Sequence, residues 1–382
     1  LPHLLYERLD ELGIDVAIIY PSYGLLFPHF ENERDRRAAC RALNRFNAKL
    51  FDGLGDRLVP VASIPMHTPA EALDELDHIA DLGFKAVVMA GFVQRPIEAV
   101  AALDPDLAQY AVWTDTFGLD SAYDYDPVWQ RCRELGISPS FHSGALGWQN
   151  RVSISSYVYN HLGMLGESNH AVAKSLFLGG VTRRFPELNF AFLEGGVAWA
   201  ASLFCDLIGH WEKRNGARMR ALDPAKTNWS KIGELIAKYA PEWAAMAPKS
   251  GGYAPQDQEL LDEFAACGIS TAEDIRDLYV PRFFFGCEAD DPMTTTAFNT
   301  KANPFGARLN AMFGSDISHW DVPVMSEVLP EAWEMVEHGL ITDDDLRDFL
   351  FTNAVRFYTH TNPSFFAGTR VEGAVNELLA AG

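Results

Sequence analysis

The chain has 382 residues, 48% of them hydrophobic, and no low-complexity tract, so it can bury a large core and is not disordered. Thirty-one basic against 52 acidic residues leave a formal charge of −21, which repels phosphate backbones and anionic head groups and argues against nucleic acid or a membrane as partner. No apolar run is long enough to cross a bilayer, the amphipathic start LPHLLYERLDELGID does not read as a signal peptide, and five scattered cysteines without a C-x-x-C pair read as reduced core residues; a cytoplasmic globular protein is expected.

In chain order, a helix is expected over residues 4–12. Strand-like apolar runs follow at 14–21 (IDVAIIYP), 57–65 (RLVPVASIP), 85–91 (KAVVMAG), 137–144 (ISPSFHSG), 188–196 (LNFAFLEGG), 282–288 (RFFFGCE) and 310–318 (NAMFGSDIS). Near-continuous apolar strands separated by helical stretches indicate a parallel sheet covered on both faces. Two of the intervening helices carry clear punctuation. TPAEALDELDHIADLGF begins with a Thr cap and stops at Gly83, and DPVWQRCRELGI has Asp126 as its expected cap, Pro127 in the first turn and Gly136 as its stop.

Residues 22–56 read as a loop and a long helix, and about 197–281 as a helical insertion after the sixth strand of a barrel, with a Gly/Pro/Ser loop at APKSGGYAPQD. The segment VEGAVNELLAAG reads as a closing helix. Seven runs are one short of an eight-stranded (β/α)8 TIM-like barrel, so a single barrel domain over 1–382 is expected, its first strand preceding Leu1. An open doubly wound sheet is the alternative, although no G-x-G-x-x-G follows the first run.

Candidate chemistry sits where the runs end. Alternation puts Ser138, Ser140 and His142 on one face, and such small residues suit a barrel interior with His142 at its rim. Asp316 shares a face with Met312 and Gly314; a carboxylate ending an apolar strand is costly unless it is paired or bound to a cation. An imidazole and a carboxylate at one mouth fit a divalent metal, zinc first, since zinc takes N and O ligands. Glu194 precedes two glycines that let the backbone turn beside a ligand, and Glu288 is a fourth acid at a strand end. His170 and His319 are further polar candidates, and Arg95 could meet a substrate carboxylate; the bland readings are caps, core hydrogen bonds and a surface ion pair. His161, His210, His338 and His360 lie in helical surroundings and read as structural. Trp113, Trp148, Trp199 and Trp320 would suit a flat unsaturated or aromatic substrate.

The segments YDPVWQRCRELGISPSFHSG, GGVTRRFPELNFAFLEGG and FGSDISHWD together resemble the amidohydrolase superfamily, in the branch related to aminocarboxymuconate semialdehyde decarboxylase. The likeness runs in order from GIDVAIIYP to TNAVRFY. It implies a metal-dependent barrel enzyme with His142 and Asp316 as metal ligands. The family's first-strand H-x-H or D-x-H-x-x-E motif does not occur, and Glu194 stands where the family usually has histidine, as in an EGG subgroup. The implied site has Asp316 or Glu194 moving a proton, His319 orienting the reacting group, and His170, Arg95 and Glu288 contacting substrate. The expected activity is metal-dependent hydrolysis of a small carboxylated or aromatic compound by a metal-activated water. Non-oxidative decarboxylation and a silent ligand-binding barrel are the alternatives, and a homo-oligomer is compatible with each.

Overall fold

The computed structural model describes residues 2–143, 152–246 and 262–381, so Trp148 and the APKSGGYAPQD loop lie outside the described residues. The seven apolar runs become seven parallel strands: β1 (Ala17–Ile19), β2 (58–64), β3 (Val87–Met89), β4 (Pro139–Phe141), β5 (Phe190–Phe192), β6 (Phe283–Glu288) and β7 (Asn310–Gly314). They neighbour one another in chain order. In β2, Leu58–Pro60 pairs with β1 while Ala62–Ile64 pairs with β3, so its two edges are used at different heights. That stagger is what a tilted barrel wall requires. The architecture is a β/α barrel; among the described residues no ladder joins β7 to β1.

Alternation divides the wall into two apolar layers. Ile64, Val87, Phe141, Phe192 and Phe285 point outward against Leu76, Trp129, Leu176 and Tyr279 of the surrounding helices. Val61, Val88, Ala191, Phe284 and Met312 share the inner cluster with Phe357, Tyr358 and Phe365 from the C-terminal region. Burial of both faces is why the strands read as unbroken apolar runs.

The helices follow their local signals with two differences. Thr68 caps Pro69–Asp81 by accepting from the Glu71 N–H at 3.2 Å, and Gly136 ends Asp126–Leu135 in the left-handed region at φ 66°. Asp126 is not the cap of that helix: it is the first helical residue, and its carboxylate holds Arg184 instead, because that ion pair draws its oxygens away from the free amides. The first helix is shorter than expected, Pro2–Arg8. After β5 come Ala198–Arg214, Gly216–Ala221, Trp229–Tyr239 and further short helices, the mostly helical insertion. An antiparallel hairpin, Val93–Pro96 with Val112–Asp115, lies between β3 and β4.

Candidate active site

Four consecutive strands deliver the site at their C-terminal ends. His142 directly follows β4, Glu194 stands two residues past β5, Glu288 is the last residue of β6, and Asp316 stands two residues past β7. In barrel enzymes this end carries the chemistry. Glu194 and Asp316 both lie in the left-handed backbone region, at φ 57° and 46°, as does Ser318 at φ 81°. A glutamate there is strained by about 1 kcal/mol or more, which persists only when its surroundings hold it.

The EGG turn shows what holds it. Asn169 donates to the Leu193 carbonyl at 2.9 Å from the helix Met164–Leu178, and the Gly196 N–H bonds the Gly286 carbonyl at 3.1 Å. A Cβ on Gly195 would stand 2.6 Å from Asn169 Nδ2, and one on Gly196 would stand 2.9 Å from Asp291 Oδ2. Gly195 is also held close to the Gly166 backbone, whose Cα would stand 3.1 Å from that added Cβ, and Gly196 has φ 66°, which favours glycine; the turn they make aims Glu194 at β4.

There the Glu194 carboxylate meets His142. Nε2 lies 2.5 Å from Oε2, while Nδ1 donates to the Ser143 carbonyl at 2.9 Å. A carbonyl only accepts, so Nδ1 carries a proton and the tautomer presents Nε2 to the mouth. Burial pulls the His142 pKa down, but the hydrogen bond and charge of Glu194 outweigh it and leave it raised; burial pushes Glu194 up, yet the His142 bond leaves it lowered. The Nε2–Oε2 contact thus couples the titration of the two groups. Across the mouth, Asp316 Oδ2 is 2.7 Å from His319 Nδ1. The ligand atoms of Glu194, Glu288 and Asp316 lie within 4.8 Å of one another, as do those of Asp316, His319 and Asp321. Burial, then the charge of Glu194, pushes Asp316 upward; burial and the charges of Asp290, Glu194, Asp316 and Asp321 push Glu288 to about 7.

Glu194, Glu288 and Asp316 thus converge, with His142 joined to them through Glu194 and His319 through Asp316. The other two candidates do not join them. His170 packs edge-to-face on Trp199, with ring centroids 6.1 Å apart, behind the EGG turn. Arg95, on the hairpin, gives all three nitrogens to the protein: Nε to buried Asp115, Nη1 to the His67 carbonyl at 3.0 Å and Nη2 to the Tyr125 hydroxyl at 3.0 Å. Conversely, His161, read as structural, lies close enough for its charge to act on Glu194. It stacks on Tyr157 at 5.2 Å, and Tyr157 contacts Trp320 edge-to-face at 6.2 Å, which forms a wall of rings over one side of the mouth. No local pattern marks His161, which ends the short helix Tyr157–His161.

The donor set suits a divalent cation. A buried imidazole whose second nitrogen is fixed by a backbone carbonyl is the arrangement of a metal-bound histidine, and clustered carboxylate oxygens supply the hard donors and the negative charge that a cation offsets.

The amidohydrolase family model matches residues 27–359. The chain belongs to this family of enzymes. Solved structures that share the fold include an amidohydrolase from Mycobacterium avium subsp. paratuberculosis K-10, 17% identical, with 94% of this chain and 74% of that one covered and a TM-score of 0.55. A 2,6-dihydroxybenzoate decarboxylase complexed with 2,6-dihydroxybenzoate is 16% identical, with 92% and 86% covered and a TM-score of 0.53. A 4-oxalomesaconate hydratase from Rhodopseudomonas palustris is 12% identical, with 98% and 84% covered and a TM-score of 0.50. At these identities the structural likeness carries the barrel and not a substrate; amidohydrolase membership rests on the family match.

Proposed function

We propose that this amidohydrolase hydrolyses a small compound with a planar unsaturated or aromatic part, with Glu194 as the proton-transfer group. The observation that carries the reading is the Glu194 carboxylate, turned into the mouth by a strained backbone and set 2.5 Å from His142 beside Glu288 and Asp316. His142 Nε2 and Asp316, with Glu194 or Glu288 as a further oxygen ligand, would hold a divalent metal, zinc by the mixed N and O donor set. When bound, that ion supplies Lewis acidity toward a substrate oxygen.

The chain's own groups account for the rest. Glu194 takes a proton from the attacking water as its oxygen adds to the electrophilic carbon, and returns that proton to the leaving group as the old bond breaks. Asp316 accepts from His319 and thereby orients its ring toward the substrate. Trp320, Tyr157 and His161 offer flat faces on which a planar substrate can rest. Non-oxidative decarboxylation is the second reading, because a decarboxylase is among the structures sharing the fold and the same ring wall suits a hydroxybenzoate.

The test is Glu194→Gln in protein assayed for metal content and for turnover over a panel of aryl amides, aryl esters and hydroxybenzoates. Turnover should drop about 10²-fold or more with metal retained. Unchanged turnover with full metal content removes Glu194 from the reaction, and release of CO₂ together with the decarboxylated phenol, with no hydrolysis of the amides or esters, decides for decarboxylation.

A further inference from the structure

The described residues enclose a second recess, of about 660 Å³, at the opposite end of the barrel. Asn189, Arg282 and Asn310, which line it, lie at the starts of β5, β6 and β7, so it is separated from the catalytic mouth by the full height of the wall. Its volume is that of a small-molecule site. Three arginines, Arg282, Arg308 and Arg356, together with His360, line a floor that includes Phe284, Phe298 and Leu309. On a chain of charge −21 such a concentration of cations is not a sample of the average surface.

The pairing of those cations is uneven. Arg308 is neutralised by Asp345 at 2.5 Å and Asp348 at 2.8 Å. Arg282 and Arg356 have no carboxylate within ion-pair distance among the described residues. Arg282 is half-buried and donates from Nη1 to His360 Nε2 at 2.5 Å and to Asn189 Oδ1 at 3.4 Å, which leaves Nε and Nη2 without a bond inside the described protein. A half-buried guanidinium facing a neutral imidazole is an electrostatically incomplete arrangement, and an anion is what completes it. Burial accordingly pulls Arg282 below its ordinary value, with only Glu187 acting the other way from a distance.

We infer that this recess is a binding site for a small organic anion with an apolar body, its phosphate or carboxylate held by Arg282 and Arg356 and its hydrocarbon part resting on Phe284, Phe298 and Leu309. The site is independent of the hydrolytic reading. In (β/α)8 enzymes the N-terminal face is not where chemistry occurs, so the ligand is bound there and not turned over.

Calorimetric titration of the full chain with phenyl phosphate, phenylacetate and inorganic phosphate tests this. At least one of the two aryl anions should bind more tightly than inorganic phosphate, and which one does so separates a phosphate ester from a carboxylate. Arg356→Glu, an exposed substitution that the fold should accept, should weaken that binding about tenfold or more, and Arg282→Met should do so as well. His319→Ala, at the other end of the barrel, should leave it unchanged. Failure of both aryl anions to bind at about 10 mM, binding indifferent to Arg356→Glu, or binding abolished by His319→Ala would overturn the assignment.

Discussion

Replacing Arg95 by Met separates a structural arginine from one that meets substrate. The guanidinium lies against Asp115, whose side chain is 0% exposed, and the two charges would interact by about 4 kcal/mol at an effective dielectric constant of about 20. Removing one member of a buried pair typically costs about 3–5 kcal/mol, because the other charge is left uncompensated. Here the orphaned carboxylate keeps the Phe117 N–H at 3.0 Å, the Ser121 hydroxyl at 3.0 Å and the Ala122 N–H at 3.1 Å. Those three donors place the expected loss at the lower end, about 3 kcal/mol. Urea unfolding should show a lower midpoint at an unchanged slope, and Arg95→Met combined with Asp115→Asn should recover part of the loss. Full stability with a raised KM for a carboxylated substrate would refute this reasoning and return Arg95 to substrate binding.

Other substitutions and a titration probe the same structure. Gly195→Ala forces a Cβ to within 2.6 Å of Asn169 Nδ2, so turnover should fall with Glu194 displaced, and stability should drop by about 1–3 kcal/mol; a normally active variant contradicts the turn described. Gly136→Ala places a side chain at φ 66° and 3.1 Å from the Thr361 carbonyl, for a loss of about 1 kcal/mol by thermal or urea unfolding, with activity kept. His67 is held down at about 3, first by burial and then by Arg36, His29 and Arg95, against an ordinary 6.5. It is therefore neutral when folded and takes up a proton on unfolding, so its contribution is complete above about pH 6.5 and is lost as the pH falls toward 3. His67→Gln should flatten the acid limb of the stability profile; an unchanged limb would show that other groups govern it.

Much of this molecule follows from local chemistry. Seven apolar runs, each bounded by turn residues, correspond one for one with β1–β7, because strands buried on both faces cannot hide their composition. Thr68 and Gly136 mark helix ends through the backbone groups they satisfy or the φ they tolerate. The inner face of β4 was legible from Ser138, Ser140 and His142, whose small or polar side chains differ from the outward Phe141. Strand-end position alone brought His142, Glu194, Glu288 and Asp316 into consideration, since successive parallel strands must deliver their C-terminal ends to one mouth.

Direction and partnership at the site belong to the tertiary structure. By parity Glu194 falls with Phe190 and Phe192 on the outward side of β5; only the left-handed backbone, held by Asn169 and by Gly286 on the next strand, turns it inward to His142. Arg95 gained its commitments from a hairpin whose antiparallel pairing to Val112–Asp115 leaves no signature in either segment. Arg282 meets His360 across 78 residues of chain. The sequence by itself determined the strand count, the two apolar layers and the set of strand-end donors, since those depend on what each residue will or will not bury. Which donors face one another was decided by backbone turns and long-range packing, whose energies are spread over residues that carry no mark of them.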